Sequence, residues 1–154
     1  LYFAVVALVS GASGVLNARL VMRLGMRPLA SVAFGSQLVI AGVTWGLWAT
    51  GAFDGVSQHT QLWIFIGWSA TLFFMNGLTF GNVTALAMEP LGHIAGTASA
   101  VIGAFSSILA VVIAIPIGLA FDGSPKPLIL GVAICSALAF ALVWTDRHRT
   151  RELG

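Results

Sequence analysis

Asn76, Thr79 and Asn82 stand three residues apart in an otherwise apolar stretch, and Ser10, Ser13 and Asn17 punctuate another near the start of the chain. Amide and hydroxyl groups in such a setting bind a polar solute or hydrogen-bond a neighbouring helix, because leaving one unpaired away from water costs several kcal/mol. Gln37, Thr97, Ser99, Ser106 and Ser107 are further neutral polar groups inside apolar blocks. No Asp, Glu, Lys, Arg or His falls near the middle of any such block. An ionisable carrier of protons or ions is therefore expected outside these residues. The spacing places Asn76, Thr79 and Asn82 near one helix face, which fits a cavity wall or an interhelical contact. The serines fit helix contacts or back-bonding to the preceding turn.

Glu89-Pro90-Leu91-Gly92-His93 is the sharpest local feature. Pro90 suits the first turn of a helix, where its missing N–H is no loss, and Glu89 beside it complements the helix N-terminal dipole. A role for Glu89 or His93 in proton movement is the alternative. Pro116, deep in an apolar block, predicts a kink that either gates or adjusts packing. His59 and His148 fall in a loop and in the tail. No GxxxxGK[ST], HExxH, CxxC or Gly-x-Ser-x-Gly pattern occurs, so no catalytic residue is assigned. Gly11-Ala12-Ser13-Gly14 lies within an apolar block, a poor place for a phosphate cradle. The single Cys135 supports neither a disulfide framework nor a cysteine metal site within the chain, and no metal or cofactor is expected.

The elements that must position these groups follow from composition. Of 154 residues 58% are hydrophobic and 8% charged, against roughly 25% charged in an ordinary soluble domain. About 20 apolar residues cross a hydrocarbon core of roughly 30 Å. Five blocks reach about that length: 1–18, 29–52, 62–88, 92–121 and 128–145. The fold class expected is an all-α membrane protein with five transmembrane helices and a polar tail over 146–154. Leu1, apolar and without a preceding basic region, reads as the start of a piece of a longer protein.

Six of the seven bases fix an orientation. Arg19, Arg23 and Arg27 follow the first block and Arg147, Arg149 and Arg151 form the tail, whereas only Lys126 lies on the opposite side. Basic residues are retained on the cytoplasmic side, so the C-terminus is placed inside. The bases flank apolar blocks instead of forming a surface stripe, which argues against nucleic acid despite the net charge of +2. Trp45, Trp48, Trp63 and Trp68 are expected at the outer interface and Trp144 at the inner one. Gly42 with Gly46, Gly77 with Gly81, and Gly92 with Gly96 form GxxxG pairs, and Ser99, Gly103 and Ser107 continue a small-residue stripe, predicting close helix contacts unless the pairs are chance.

The run from Asn82 through Glu89-Pro90-Leu91-Gly92-His93 to Gly103 closely resembles the junction of spans 10 and 11 in the Bcr/CflA drug-resistance transporters of the major facilitator superfamily. Leu16-Asn17-Ala18-Arg19-Leu20 to Arg23-Leu24-Gly25-Met26-Arg27 resembles that family's loop between spans 8 and 9. It is also similar to the superfamily's G-x-L-a-D-R-x-G-R-R loop motif: aligned on Gly25 it keeps Leu20, Arg23, Gly25 and Arg27, while Ala18 replaces the first Gly and Met22 the Asp. Span count, orientation and arginine tail fit spans 8 to 12.

The resemblance implies most of the C-terminal half of a major facilitator fold, in which two six-span halves rock around a midplane site. It implies export of small, drug-like toxic compounds from a bacterial cytoplasm across the inner membrane, driven by the proton gradient. The missing N-terminal half would complete the pathway and carry the coupling acid, and the lipid bilayer would surround the whole. Spans 8, 10 and 11 would face the cavity, making Asn76, Thr79, Asn17 and Ser106 cavity candidates, with Arg23, Gly25, Arg27, Glu89 and Pro90 as loop-motif or gating candidates. The alternatives are a major facilitator transporter of a sugar, amino acid or organic acid, and a membrane scaffold or enzyme subunit. An enzyme would need convergent ionisable groups, for which Glu89 and His93 are the near pair.

Overall fold

The computed structural model describes residues 2–152, and the side chains of 6–146. Leu1 and the last two residues of the tail lie outside them, as do the side chains of Arg147, Arg149 and Arg151. Among the described residues every regular element is helical: α1 (Tyr2–Leu24), α2 (Met26–Ala49), α3 (Gln58–Met88), a 3-10 segment over Glu89–Ile94, α4 (Ala95–Leu119) and α5 (Lys126–Glu152). Among the described residues three stretches are long and apolar enough to cross a membrane, Met26–Ala49, Gln58–Leu119 and Lys126–Asp146.

The helix boundaries correct the reading of the arginine region as a loop. α1 continues past Arg19 and Arg23, α2 begins at Met26, and the connection shrinks to Gly25. Its φ of 83° and ψ of 161° belong to glycine, and Pro28 sits in the first turn of α2, where a missing N–H is tolerated. The expected polar tail is likewise helical, because α5 runs to Glu152.

The long stretch Gln58–Leu119 is broken where the Glu89-Pro90 pair predicts. The Glu89 N–H closes α3 on the Ala85 carbonyl, and Leu91 leaves helical geometry at φ −108°, ψ 15°. The chain reverses there: Phe121, just beyond α4, lines the same cleft as Gln58 and His59 at the start of α3. Pro116 produces no break in α4. It lies in the last turn, where its carbonyl accepts the Ala120 N–H at 3.0 Å.

α1 packs along α3, α3 along α2, and α2 along α5. The apolar centre is Trp48, Trp68 and Ile129, joined by Phe53, Leu72 and Val132. Trp48 and Trp68 are thus core residues, whereas Trp45, Trp63 and Trp144 remain exposed. Of the GxxxG glycines only Gly77 sits at a tight crossing, where an added Cβ would collide with the Ser13 side chain. Gly42, Gly46, Gly81, Gly92 and Gly96 face no atom within 4 Å of such a Cβ. Close contacts between helices occur instead at Gly35 against Phe140 and at Gly131 against Ile117, both outside the pairs.

α4 stands apart. Ala98 is its buried residue, and it meets α5 near its end, where Ile117 lies against Gly131.

Candidate functional site

The polar groups of α1 and α3 meet along one seam. The fully buried Ser13 donates to the Ser10 carbonyl at 2.6 Å, clearing the crossing opposite Gly77. About one turn further along, the Asn82 carboxamide donates to Asn17 Oδ1 at 2.7 Å and to the Leu78 carbonyl at 2.7 Å. Thr79 is buried and donates back to the carbonyls of Met75 and Asn76, at 3.1 and 3.2 Å. Polar groups in an apolar medium must find such partners, and here they find them within the chain.

Four cavity candidates therefore occupy two kinds of place. Asn17 and Thr79 belong to the seam, with their hydrogen bonds made; Asn76 and Ser106 are exposed, on α3 and α4. The common face expected for Asn76, Thr79 and Asn82 does not hold over its full length. A three-residue step falls about 60° short of a turn, so two steps carry Asn76 about 120° from Asn82. Asn82 enters the seam and Asn76 leaves it.

α4 presents the second surface. Val101, Phe105, Ile108, Val112 and Ile115 are more than half exposed. Ser106 is exposed between Phe105 and Ser107, and the Ser107 hydroxyl is turned onto the Gly103 carbonyl at 2.9 Å. An added Cβ on Gly96 or Gly103 would meet nothing within 4 Å. A helix apolar all round is a buried helix in its finished setting, in lipid or in protein.

The remaining candidates sit at the basic ends of the helices. Arg27 Nε lies 3.1 Å from Asp146 Oδ2, a charge contact tying the start of α2 to α5. Its N–H is not aimed at a hydrogen-bond acceptor, so the contact is ionic. Arg23, Glu89 and Pro90 are exposed. Glu89 and His93 belong to the 3-10 segment, none of whose residues is buried.

At the opposite end, a cleft of about 620 Å³ opens between Trp48, His59, Phe65, Phe121 and Leu128. Gln61 closes the floor of the α2–α3 loop by donating to the carbonyls of Phe53 and Val56, at 2.8 and 3.1 Å. Trp63 donates its indole N–H to His59 Nε2 at 3.3 Å. Beside the cleft, the Ser124 hydroxyl and N–H both donate to Asp122, at 2.6 and 3.0 Å. These two hydrogen bonds hold the Asp122 carboxyl below the usual carboxylate range. The cleft joins residues far apart in sequence; the cluster of tryptophans signalled this end but not the cavity. Among the described residues no three His, Cys, Asp or Glu side chains gather as a metal site.

Family models, curated proteins and solved structures were compared with the chain, and none matches it.

Proposed function

We propose that this chain forms spans 8 to 12 of a proton-coupled multidrug exporter of the major facilitator kind, in a bacterial inner membrane with the C-terminus cytoplasmic. Each of the five α-helices then crosses once, and the 3-10 segment turns the chain at the inner surface. The observation that carries the reading is α4, a 25-residue apolar helix bare along nearly its whole length and lined on one side by Ser99, Gly103 and Ser106. In a two-half transporter that surface has an occupant: the facing half of the protein, with the substrate path between them.

The seam between α1 and α3 supports the same reading. It is internally satisfied and suits a rigid body that rocks as a unit. Asn76 and Ser106, exposed on α3 and α4, are the groups left for the path. The proton carrier lies in the N-terminal half, in keeping with the absence of acids within the apolar blocks. The test is drug accumulation in a pump-deficient bacterium making the full-length protein. Lowered accumulation of a lipophilic dye, abolished by a protonophore, is the expected result. Accumulation that is unchanged by the protein for dyes and antibiotics of varied chemistry overturns the proposal.

A further inference from the structure

A groove of about 530 Å³ runs between α2 and α5. Ser31, Gly35 and Val39, each a turn after the last on α2, line it together with Phe140 and Trp144 of α5. Its walls are mostly apolar. Gly35 lets the Phe140 ring approach α2, and the Ser31 hydroxyl is turned back onto the Arg27 carbonyl at 3.0 Å.

An ion pair stands at one end of the groove. Ser31 and Trp144 are the lining residues nearest that end; Arg27 lies one turn beyond Ser31, Asp146 two residues beyond Trp144, and the two meet at 3.1 Å. The Arg27 side chain stays 38% exposed, and its Nε–H has no hydrogen-bond acceptor. Trp144 is 47% exposed beside the pair, as suits a ring at headgroup level.

Length and charge select an occupant. From Arg27 to Ile40, another lining residue, α2 rises about 20 Å, the depth of one leaflet with its headgroups. Arg19, Arg23, Arg27, Arg147, Arg149 and Arg151 stand at this end of the helices against Glu89, Asp146 and Glu152, whereas the other end sets Asp54 and Asp122 against Lys126. An anion is favoured here and not there. α4, the surface proposed for the facing half, contributes nothing to the groove.

We propose that the groove binds an anionic phospholipid of the inner leaflet, with an acyl chain along Gly35 and Phe140 and the phosphate against Arg27. This rests on the reading of these helices as membrane-spanning with the C-terminus inside, and not on what the protein exports. A zwitterionic lipid brings a cation to Arg27 along with its phosphate, and a free phosphate leaves the apolar walls uncovered.

Native mass spectrometry of the full-length protein in neutral detergent, incubated with phosphatidylglycerol or phosphatidylcholine of the same acyl chains, tests the site. A preference for phosphatidylglycerol of about fivefold or more is the expected result. Arg27→Gln lowers phosphatidylglycerol retention about fivefold, and Ser36→Leu, which fills the groove, lowers retention of both lipids. Asp146→Asn breaks the same ion pair but leaves the base, and it is expected to hold phosphatidylglycerol at least as well as the parent. Equal retention of the two lipids by the parent, a loss in Asp146→Asn matching that in Arg27→Gln, or a lipid-free dimer closed through this face overturns the proposal. The measurement uses neither drug nor gradient, so it stands or falls separately from export.

Discussion

The seam between α1 and α3 and the long face of α4 are built from the same vocabulary, glycine and serine at short helical intervals among apolar residues, yet they end in opposite states. In the seam, Gly77 admits Ser13 and the backbones close until Asn82 reaches Asn17. On α4, Gly96 and Gly103 admit nothing. A small-residue stripe permits close approach without specifying a partner. The seam has its partner within the chain; the α4 face has none among the described residues, and the proposed second half of a transporter is what would cover it.

Changing one glycine on each surface gives the largest separation between them. Gly77→Leu drives a side chain into Ser13 and is expected to destabilise the protein by about 3 kcal/mol, the upper end of overpacking costs, read as a collapse of the monodisperse peak after solubilisation. Gly103→Leu extends into open space in this part of the molecule and is expected to leave the fold of these five helices intact. Equal loss from both changes would erase the distinction.

The next test keeps the seam's shape and removes its polarity. Asn82→Leu strands Asn17 Oδ1 and is expected to cost about 1–2 kcal/mol in thermal stability. Asn76→Leu, on the exposed side of α3, is expected to cost less than about 0.5 kcal/mol while altering transport. Gly25→Ala lies outside both surfaces and calibrates them. It places a Cβ at φ +83° in a one-residue turn, for an expected loss of roughly 1 kcal/mol by melting temperature.

Asp122 supplies the smallest effect. Its carboxyl is held below its ordinary value near 3.8 by the Ser124 hydrogen bonds, so the loop contribution is present above that value and is lost as pH falls through the lowered one. The exchange protection of the Ser124 amide is expected to drop only below about pH 4, and Asp122→Asn to lack that dependence.

How far this was legible from the residues differs by region. The break at Glu89-Pro90 is a local property and falls where the sequence places it; of the five apolar blocks expected, the described residues hold three stretches long and apolar enough to cross a membrane. The arginine region misled because its bases read as a loop, while helical geometry continued through Arg19 and Arg23 as far as one permissive glycine. Which polar groups would pair was hidden as well. Asn76 and Asn82 have the same side chain and nearly the same setting, and only the accumulated 120° of rotation decides that one enters the seam and the other does not. The buried Gln37 was visible as a polar residue in an apolar block. Its lack of a protein partner is a property of the packing around it and not of the local sequence.

The central claim, that the bare face of α4 is a working surface against the rest of a drug exporter, is tested most directly by energised dye accumulation in cells making either the full-length protein or its Gly103→Leu variant at matched membrane levels. The account predicts protonophore-sensitive exclusion of the dye by the parent and at least a tenfold weaker exclusion by the variant, the outcome of about 1.4 kcal/mol or more lost at the contact. Exclusion by Gly103→Leu equal to that of the parent would contradict it.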